Sequence, residues 1–268
     1  MIRMSLTRIF AIVLRQYYLT RDNATRLLQI FLWPFLDILL WGFLSQYLEE
    51  ISSTSFIPIL LGAIILWDFL SRVMTGVTMT FFEDVWSNNF LNMFASPLSI
   101  SEYVAGMIAS SIGTSAIGFV GMLLAGSVLF GFSITMYGLM SLPFLLILFL
   151  SGISLGIFGV ALVLRYGPSA EWFIWPLPAI VAPFVGVFYP IETLPQWMQY
   201  VGQALPPTYV FEGVRAIVAG ENFDSSSLLI GSMLGLFCIA LSYAFFVRIY
   251  HRAVRTGLIA KYSAESAA

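Results

Sequence analysis

The sequence predicts an all-α membrane protein: six transmembrane helices, an N-terminal interfacial amphipathic helix and a re-entrant helical hairpin before the last span. Three observations carry that prediction. Six apolar stretches cover residues 27–48, 56–77, 103–132, 138–164, 172–189 and 228–250, and a bilayer core takes about 20 apolar helical residues to cross. The chain is 59% hydrophobic and only 10% charged, with a mean hydropathy of +0.91, whereas soluble domains carry about 25% charged residues. The stretches also lack the dyad alternation of an outer-membrane barrel. Helices therefore have to satisfy the backbone in hydrocarbon. The six spans and their loops use nearly all 268 residues, so a single domain over 1–268 is expected.

Residues 1–22 come first. Leu6, Ile9, Phe10, Val13, Leu14 and Tyr17 recur at helical spacing, with Arg8 and Arg15 on another face. This predicts a helix lying flat at the membrane surface. Residues 20–25 interrupt the apolar pattern before the first span, which carries Asp37 near its middle and Trp41 one turn on. An ionised side chain at the bilayer centre costs about 2.5–3.5 kcal/mol. Asp37 has no local partner, so it either lines a polar path or bonds a neighbouring helix in its protonated form. In the second span Asp68 and Arg72 share a face at i, i+4 and are expected to pair.

Residues 78–102 form the longest loop. Phe82, Glu83, Asp84, Trp86, Asn89, Phe90 and Met93 read as a short helix with an aromatic stripe and flanking carboxylates. Such a stripe rests on the protein's own helices or docks a second protein. Residues 95–99 break the helix, and Ser99 or Ser101 is placed to cap the next one. In the fourth span Gly152, Ser154 and Gly156 fit the Gly-x-Ser-x-Gly pattern of a hydrolase nucleophile. That device needs a histidine partner, and the only histidine is His251. Glycines four apart read instead as close helix packing, with Ala109/Gly113 and Gly231/Gly235 repeating the spacing.

Pro176, Pro178 and Pro183 interrupt the fifth stretch, which ends at Tyr189. Residues 190–220 then hold two half-length amphipathic pieces, 196–205 and 208–218, parted by Pro206 and Pro207. Each is too short to cross, so a re-entrant hairpin is expected, with a surface helix pair as the alternative. The last span leads into a tail over 251–268.

Basic residues set the orientation. Arg3, Arg8, Arg15, Arg21 and Arg26 precede the first span, Arg165 follows the fourth, and Arg248, Arg252, Arg255 and Lys261 close the chain. The opposite side carries Glu49, Glu50, Glu192, Glu212, Glu221 and Asp224, with Arg215 as its one cation. Both termini are therefore expected to be cytoplasmic. The lone lysine follows Ala260 rather than a glycine, so a Walker phosphate loop is excluded. One cysteine, Cys238, and one histidine leave no basis for a disulfide or a paired-histidine metal site. A net charge of −2 says little about partners, and no nucleic acid is expected.

At this point the chain resembles a permease subunit of the type-2 ATP-binding-cassette (ABC) exporter family. Asn89-Phe90-Leu91-Asn92-Met93-Phe94-Ala95-Ser96-Pro97-Leu98-Ser99 is similar to the end of that family's coupling loop. Tyr189-Pro190, Leu194-Pro195 and the run Leu205-Pro206-Pro207-Thr208-Tyr209 through Arg215 resemble its segment before the last span. The loop departs from the family in carrying Glu83, Asp84 and Glu102 but no Lys or Arg. Pro206-Pro207 stands where polysaccharide exporters usually have Asn-Pro.

The resemblance implies half of a transporter in the plasma (inner) membrane. Two permease copies, expected as a homodimer in membrane lipid, would face each other over two separate ABC ATPase subunits. ATP and Mg would sit on those subunits, with no cofactor in this chain. Phe82, Glu83, Asp84, Trp86, Asn89, Phe90 and Met93 would couple to the ATPase. Asp37, Trp41, Asp68, Arg72, Phe184 and Tyr189 would line the path of a lipid, glycolipid, drug-like or polysaccharide cargo. The rival reading is an ion-coupled secondary carrier with Asp37 and Asp68 as relay groups. A third, an intramembrane hydrolase, rests on Ser154 alone.

Overall fold

The computed structural model describes residues 4–52, 56–87, 89, 93, 96–221 and 225–256. Nine α-helices occur among them, and no strand: α1 Leu6–Arg21, α2 Ala24–Ser52, α3 Gly62–Trp86, α4 Ile100–Phe130, α5 Ser141–Tyr166, α6 Leu177–Val185, α7 Gln196–Gln203, α8 Pro206–Ala219 and α9 Ser225–Thr256. A π-helical turn, Ile57–Leu61, leads directly into α3, and a 3-10 turn, Ile134–Met140, leads into α5. Among the described residues five stretches are long and apolar enough to cross a bilayer: Ile30–Ile51, Ile57–Trp86, Ile100–Phe130, Ile134–Tyr166 and Ser226–Thr256.

α3 and α5 form the centre. Both are largely buried, and α3 is flanked by α4 on one side and α5 on the other. α9 packs on α5, and α2 packs on α4. In lipid, helices gain little from apolar contact alone, so close backbone approach matters. Gly152 and Gly156 supply it: a Cβ at Gly152 would lie 2.7 Å from the Leu70 carbonyl oxygen, and one at Gly156 would lie 2.8 Å from Val77 Cβ. Ser154, between them, exchanges a buried 3.0 Å hydrogen bond with Ser242 of α9. The Gly-x-Ser-x-Gly stretch is therefore a packing surface. Gly231 and Gly235 do the same for α9, with Cβ positions 3.0 Å from Ile147 and Leu150 atoms. Gly113 does not: nothing lies within 4 Å of its Cβ position. Gly152→Val is expected to drive α3 and α5 apart and cost about 1–3 kcal/mol. Unfolding of the purified variant in a denaturing detergent series checks this.

Helix ends follow recognisable chemistry. Ser99 caps α4 through a reciprocal box with Glu102, whose carboxylate accepts from the Ser99 N–H at 2.8 Å. Gly131, with φ of 68°, ends α4 in a left-handed turn. At the other face Glu49 accepts from the N–H groups of Phe56 and Ile57 at 2.8 and 3.1 Å, an anion at the orphan donors of a helix start.

One expectation needs correction. Residues 78–86 are not loop but the last turns of α3, which runs unbroken to Trp86. Thr78 and Thr80 donate their hydroxyls to the carbonyls of Met74 and Gly76 and so stay inside the helix. The stretch 172–189 is short and broken, as its prolines predict. A 3-10 turn, Pro168–Phe173, precedes α6, and Gly186 at φ of 65° ends it, so its helical part is Ser169–Val185. The tail beyond 256 lies outside the described residues, as do Phe90 and its neighbours 91, 92, 94 and 95.

Candidate functional site

Three groups of residues emerge. The first is in the middle of the helices. Asp68 and Arg72 form the i, i+4 ion pair expected of them, through Arg72 Nε, and both are mostly buried. Asp37, on α2, lies near enough to interact electrostatically with both. Yet its own side chain is exposed, on a face shared with exposed Trp33 and Leu40. Gly118 of α4 makes room for the arginine: a Cβ there would lie 2.4 Å from Arg72 Nη1. The sequence shows the i, i+4 pair, but only the fold brings Asp37 to it.

The second group is aromatic and stitched by backbone bonds. Trp41 stacks on Phe188, with centroids 4.4 Å apart and planes within 6°. Phe184 meets Trp197 edge-on at 6.1 Å, and Tyr189 donates its hydroxyl to the Pro183 carbonyl at 2.9 Å. Thus Trp41, Phe184 and Tyr189 belong to one assembly, separate from the charged group. Arg215 and Glu212, which sequence reading left without a role, hold it together. Arg215 Nη1 donates to the Gly186 carbonyl and Nη2 to Glu212, each at 2.6 Å, and Glu212 accepts from the Ile191 N–H at 3.0 Å. Thr208 ties α8 to the end of α7 through a 2.6 Å bond to the Gly202 carbonyl. The α6–α8 segment is therefore cross-braced, not a loose loop.

The third group joins α1 to the end of α3 and the start of α4. α1 turns Arg8 and Arg15 inward and its apolar side chains Leu6, Phe10, Leu14 and Tyr17 outward. Arg8 reaches Glu102 at 3.2 Å, and Glu102 also accepts from the Ser5 N–H at 2.7 Å. Arg15 pairs with Asp84, which is fully buried and also accepts from the Tyr103 hydroxyl at 2.7 Å. The Asn89 side chain reaches the same carboxylate, and its N–H donates to the Asp84 carbonyl at 2.9 Å. Arg15 Nη1 lies 3.9 Å from Met93 Sδ. Two of the acids that set this loop apart from the family pattern, Asp84 and Glu102, thus serve arginines of the chain itself.

Of the residues expected to meet a partner, Phe82 and Asp84 lie inside the fold, and Glu83 is half-buried. Trp86 is exposed and stacks on Phe82. Its indole N–H donates to Glu171 at 3.0 Å, and Trp175 donates to the same carboxylate at 3.3 Å. Glu171 therefore links the end of α3 to the segment before α6. It carries no motif and is 85 residues from Trp86, so no sequence signal points to it.

Among the described residues no group of three or more His, Cys, Asp and Glu is placed to hold a metal. No individual curated protein matches the chain. The family model for ABC-2 type transporters matches residues 7–219, from α1 to the end of α8. Membership brings with it a role as a transport subunit whose ATPase is a separate partner. The chain belongs to the ABC-2 type transporter family, as a multi-pass membrane permease.

Proposed function

We propose that the chain is one half of a homodimeric, ATP-driven exporter of amphiphilic cargo, with its path along the outer face of α2. Exposed Asp37 carries this reading. A carboxylate in the middle of a span that faced lipid would cost about 2.5–3.5 kcal/mol. A second copy and a polar path between the two remove that cost. The large side chains beside it, Trp33 and Leu40, are exposed in the single chain and suit a helix–helix interface.

In this reading α6 and its 3-10 lead-in make a sixth, short crossing. Both termini then lie on the cytoplasmic side, as the arginine distribution favours. The α7–α8 pair dips into the outer leaflet as a braced gate. Exposed Trp197 and Tyr200 support its contact with lipid or with the second copy. On the cytoplasmic side exposed Trp86, with Glu83 and Met93, offers the ATPase contact. Phe82, Asp84 and Asn89 hold that contact in place from within. ATP-driven closure of the ATPase pair would pull on α3 and α4 together through Asp84 and Tyr103, and α1 would follow through Arg15. The outward apolar face of α1 suits a helix resting in the membrane interface.

Cysteine cross-linking tests the shared face. In a Cys238→Ser background, Leu40→Cys is expected to give a cross-linked dimer in native membranes. Leu236→Cys, on the exposed face of α9, is expected to give none. The opposite pattern would place the second copy against α9 and remove the path from α2.

A further inference from the structure

Two cavities adjoin at the end of α5. One is an apolar groove of about 580 Å³ between α5 and the segment leading into α6, walled by Leu162, Tyr166, Phe173, Leu177 and Ile180. The other is a pocket of about 160 Å³ between the ends of α5 and α9, lined by Arg165, Tyr166, Ile249 and Arg252 among others. Tyr166 lines both, so pocket and groove meet at that ring. Polarity is sorted along the span. Arg165 and Tyr166 end α5, whereas Leu162 lies a turn further in, and Leu177 and Ile180 follow on α6. Tyr166 and Phe173 are exposed, as is Trp172 beside them in the chain, and aromatic side chains of this kind settle at headgroup depth.

Both arginines line the pocket themselves and give it a charge of +2. Neither is paired with a carboxylate among the described residues. Among those residues no acidic side chain lines either cavity. Arg165 lies over the Tyr166 ring, with Cζ 5.1 Å from the centroid, which holds the cation where the two cavities join. A cation in the last turn of a helix offsets its terminal carbonyls. That accounts for Arg165 in α5, but in α9 the last turn has Arg255 for the task. Arg252 lies before that turn and faces the pocket instead.

We propose that pocket and groove together bind an anionic phospholipid. Its phosphate accepts N–H groups from Arg165 and Arg252, and one acyl chain lies along Leu162, Leu177 and Ile180. Arginine forks suit phosphate oxygens, and a basic pocket between spans suits an anionic headgroup. A zwitterionic lipid brings the same phosphate but adds a cation where no acid receives it. A neutral lipid leaves two cations unmet, and a free phosphate leaves the groove empty. The site lies apart from α2 and from the ATPase contact, so it does not depend on the export reading.

Scintillation-proximity binding tests this on the full chain, delipidated and immobilised in dodecyl maltoside. The probes are radiolabelled dioleoyl phosphatidylglycerol and dioleoyl phosphatidylcholine. The wild-type chain is expected to bind phosphatidylglycerol saturably and about tenfold or more tighter than phosphatidylcholine. Arg165→Gln with Arg252→Gln is expected to erase that preference. Arg248→Gln with Arg255→Gln removes the same charge from the end of α9 but touches neither cavity, and is expected to keep it. Ile180→Trp, which fills the groove, is expected to weaken phosphatidylglycerol with both arginines in place. All five positions are exposed, so the changes leave the packed interior alone. Millimolar inorganic phosphate is expected not to displace the lipid. Four results overturn the inference. The two lipids bind equally; both arginine pairs lose the preference alike, which is surface charge only; Ile180→Trp binds as wild type; or inorganic phosphate displaces the lipid, which makes the pocket a free-anion site. No ATPase is needed. Lipid binding without ATP-driven transport would count against the exporter reading alone, and transport without a lipid preference would count against this site alone.

Discussion

Arg15→Met is expected to destabilise the folded chain by about 3–5 kcal/mol, because it strands a buried carboxylate. Asp84 is fully buried at the end of α3, and its charge is met chiefly by Arg15 from α1, with the Tyr103 hydroxyl and Asn89 beside it. Methionine keeps much of the side-chain length and loses the charge. The remaining neutral donors cannot compensate an anion removed from water. Asp84→Asn in the same chain is expected to recover most of the loss, since the amide still accepts from Tyr103. Denaturant unfolding of the four chains of this double-mutant cycle, followed by tryptophan fluorescence, measures the coupling. A wild-type transition in Arg15→Met alone would show that α1 does not anchor Asp84. α1 would then have to be held by its packing, of which Ile12 beneath Gly106 is the main part: a Cβ at Gly106 would lie 2.6 Å from Ile12 Cδ1.

The second large effect is expected at Arg72. Arg72→Met leaves Asp68 without its cation in the middle of the helices, and here also about 3–5 kcal/mol is expected to be lost. The informative comparison is again with a rescued chain. Arg72→Met with Asp68→Asn is expected to fold close to normally, because no charge is left unpaired. If the charged group handles cargo, that folded double variant is expected to keep ATPase coupling but lose transport. Full transport by the double variant would make the pair purely structural. Reading both quantities on one preparation separates the two roles, which loss of activity in Arg72→Met by itself does not.

What the sequence shows and what it hides follow from range. The apolar spacing of α1 is local, and so is the i, i+4 relation of Asp68 to Arg72; both are plain in the sequence. The direction in which α1 faces is not. Its arginines look like the solvent side of an amphipathic helix until Glu102, 94 residues from Arg8, takes one of them. In a membrane the usual sense reverses: apolar side chains are cheap to expose, and charges must find partners inside. Length misled in one place. Thr78 and Thr80 look like the start of a loop, but threonine bonded back to its own helix continues it, and α3 reaches Trp86. The break in the fifth stretch is plain in its prolines, but its early end is not: Gly186 turns the chain three residues before Tyr189. Composition counts apolar residues; it does not see where the backbone bends. The bracing by Glu212 and Arg215 and the Glu171 bridge join residues that adopt their relation only when the helices pack.

Reconstituted transport tests the central reading most directly. Proteoliposomes would carry the purified chain alone or with its co-expressed ABC ATPase subunit, and labelled amphiphile movement would be followed with ATP and with an imposed pH gradient. A permease that takes its energy from a partner is expected to move cargo only when both subunits and hydrolysable ATP are present, with no response to the gradient. Accumulation by the chain alone, driven by the pH gradient, would contradict that reading and make Asp37 and Asp68 relay groups of an ion-coupled carrier.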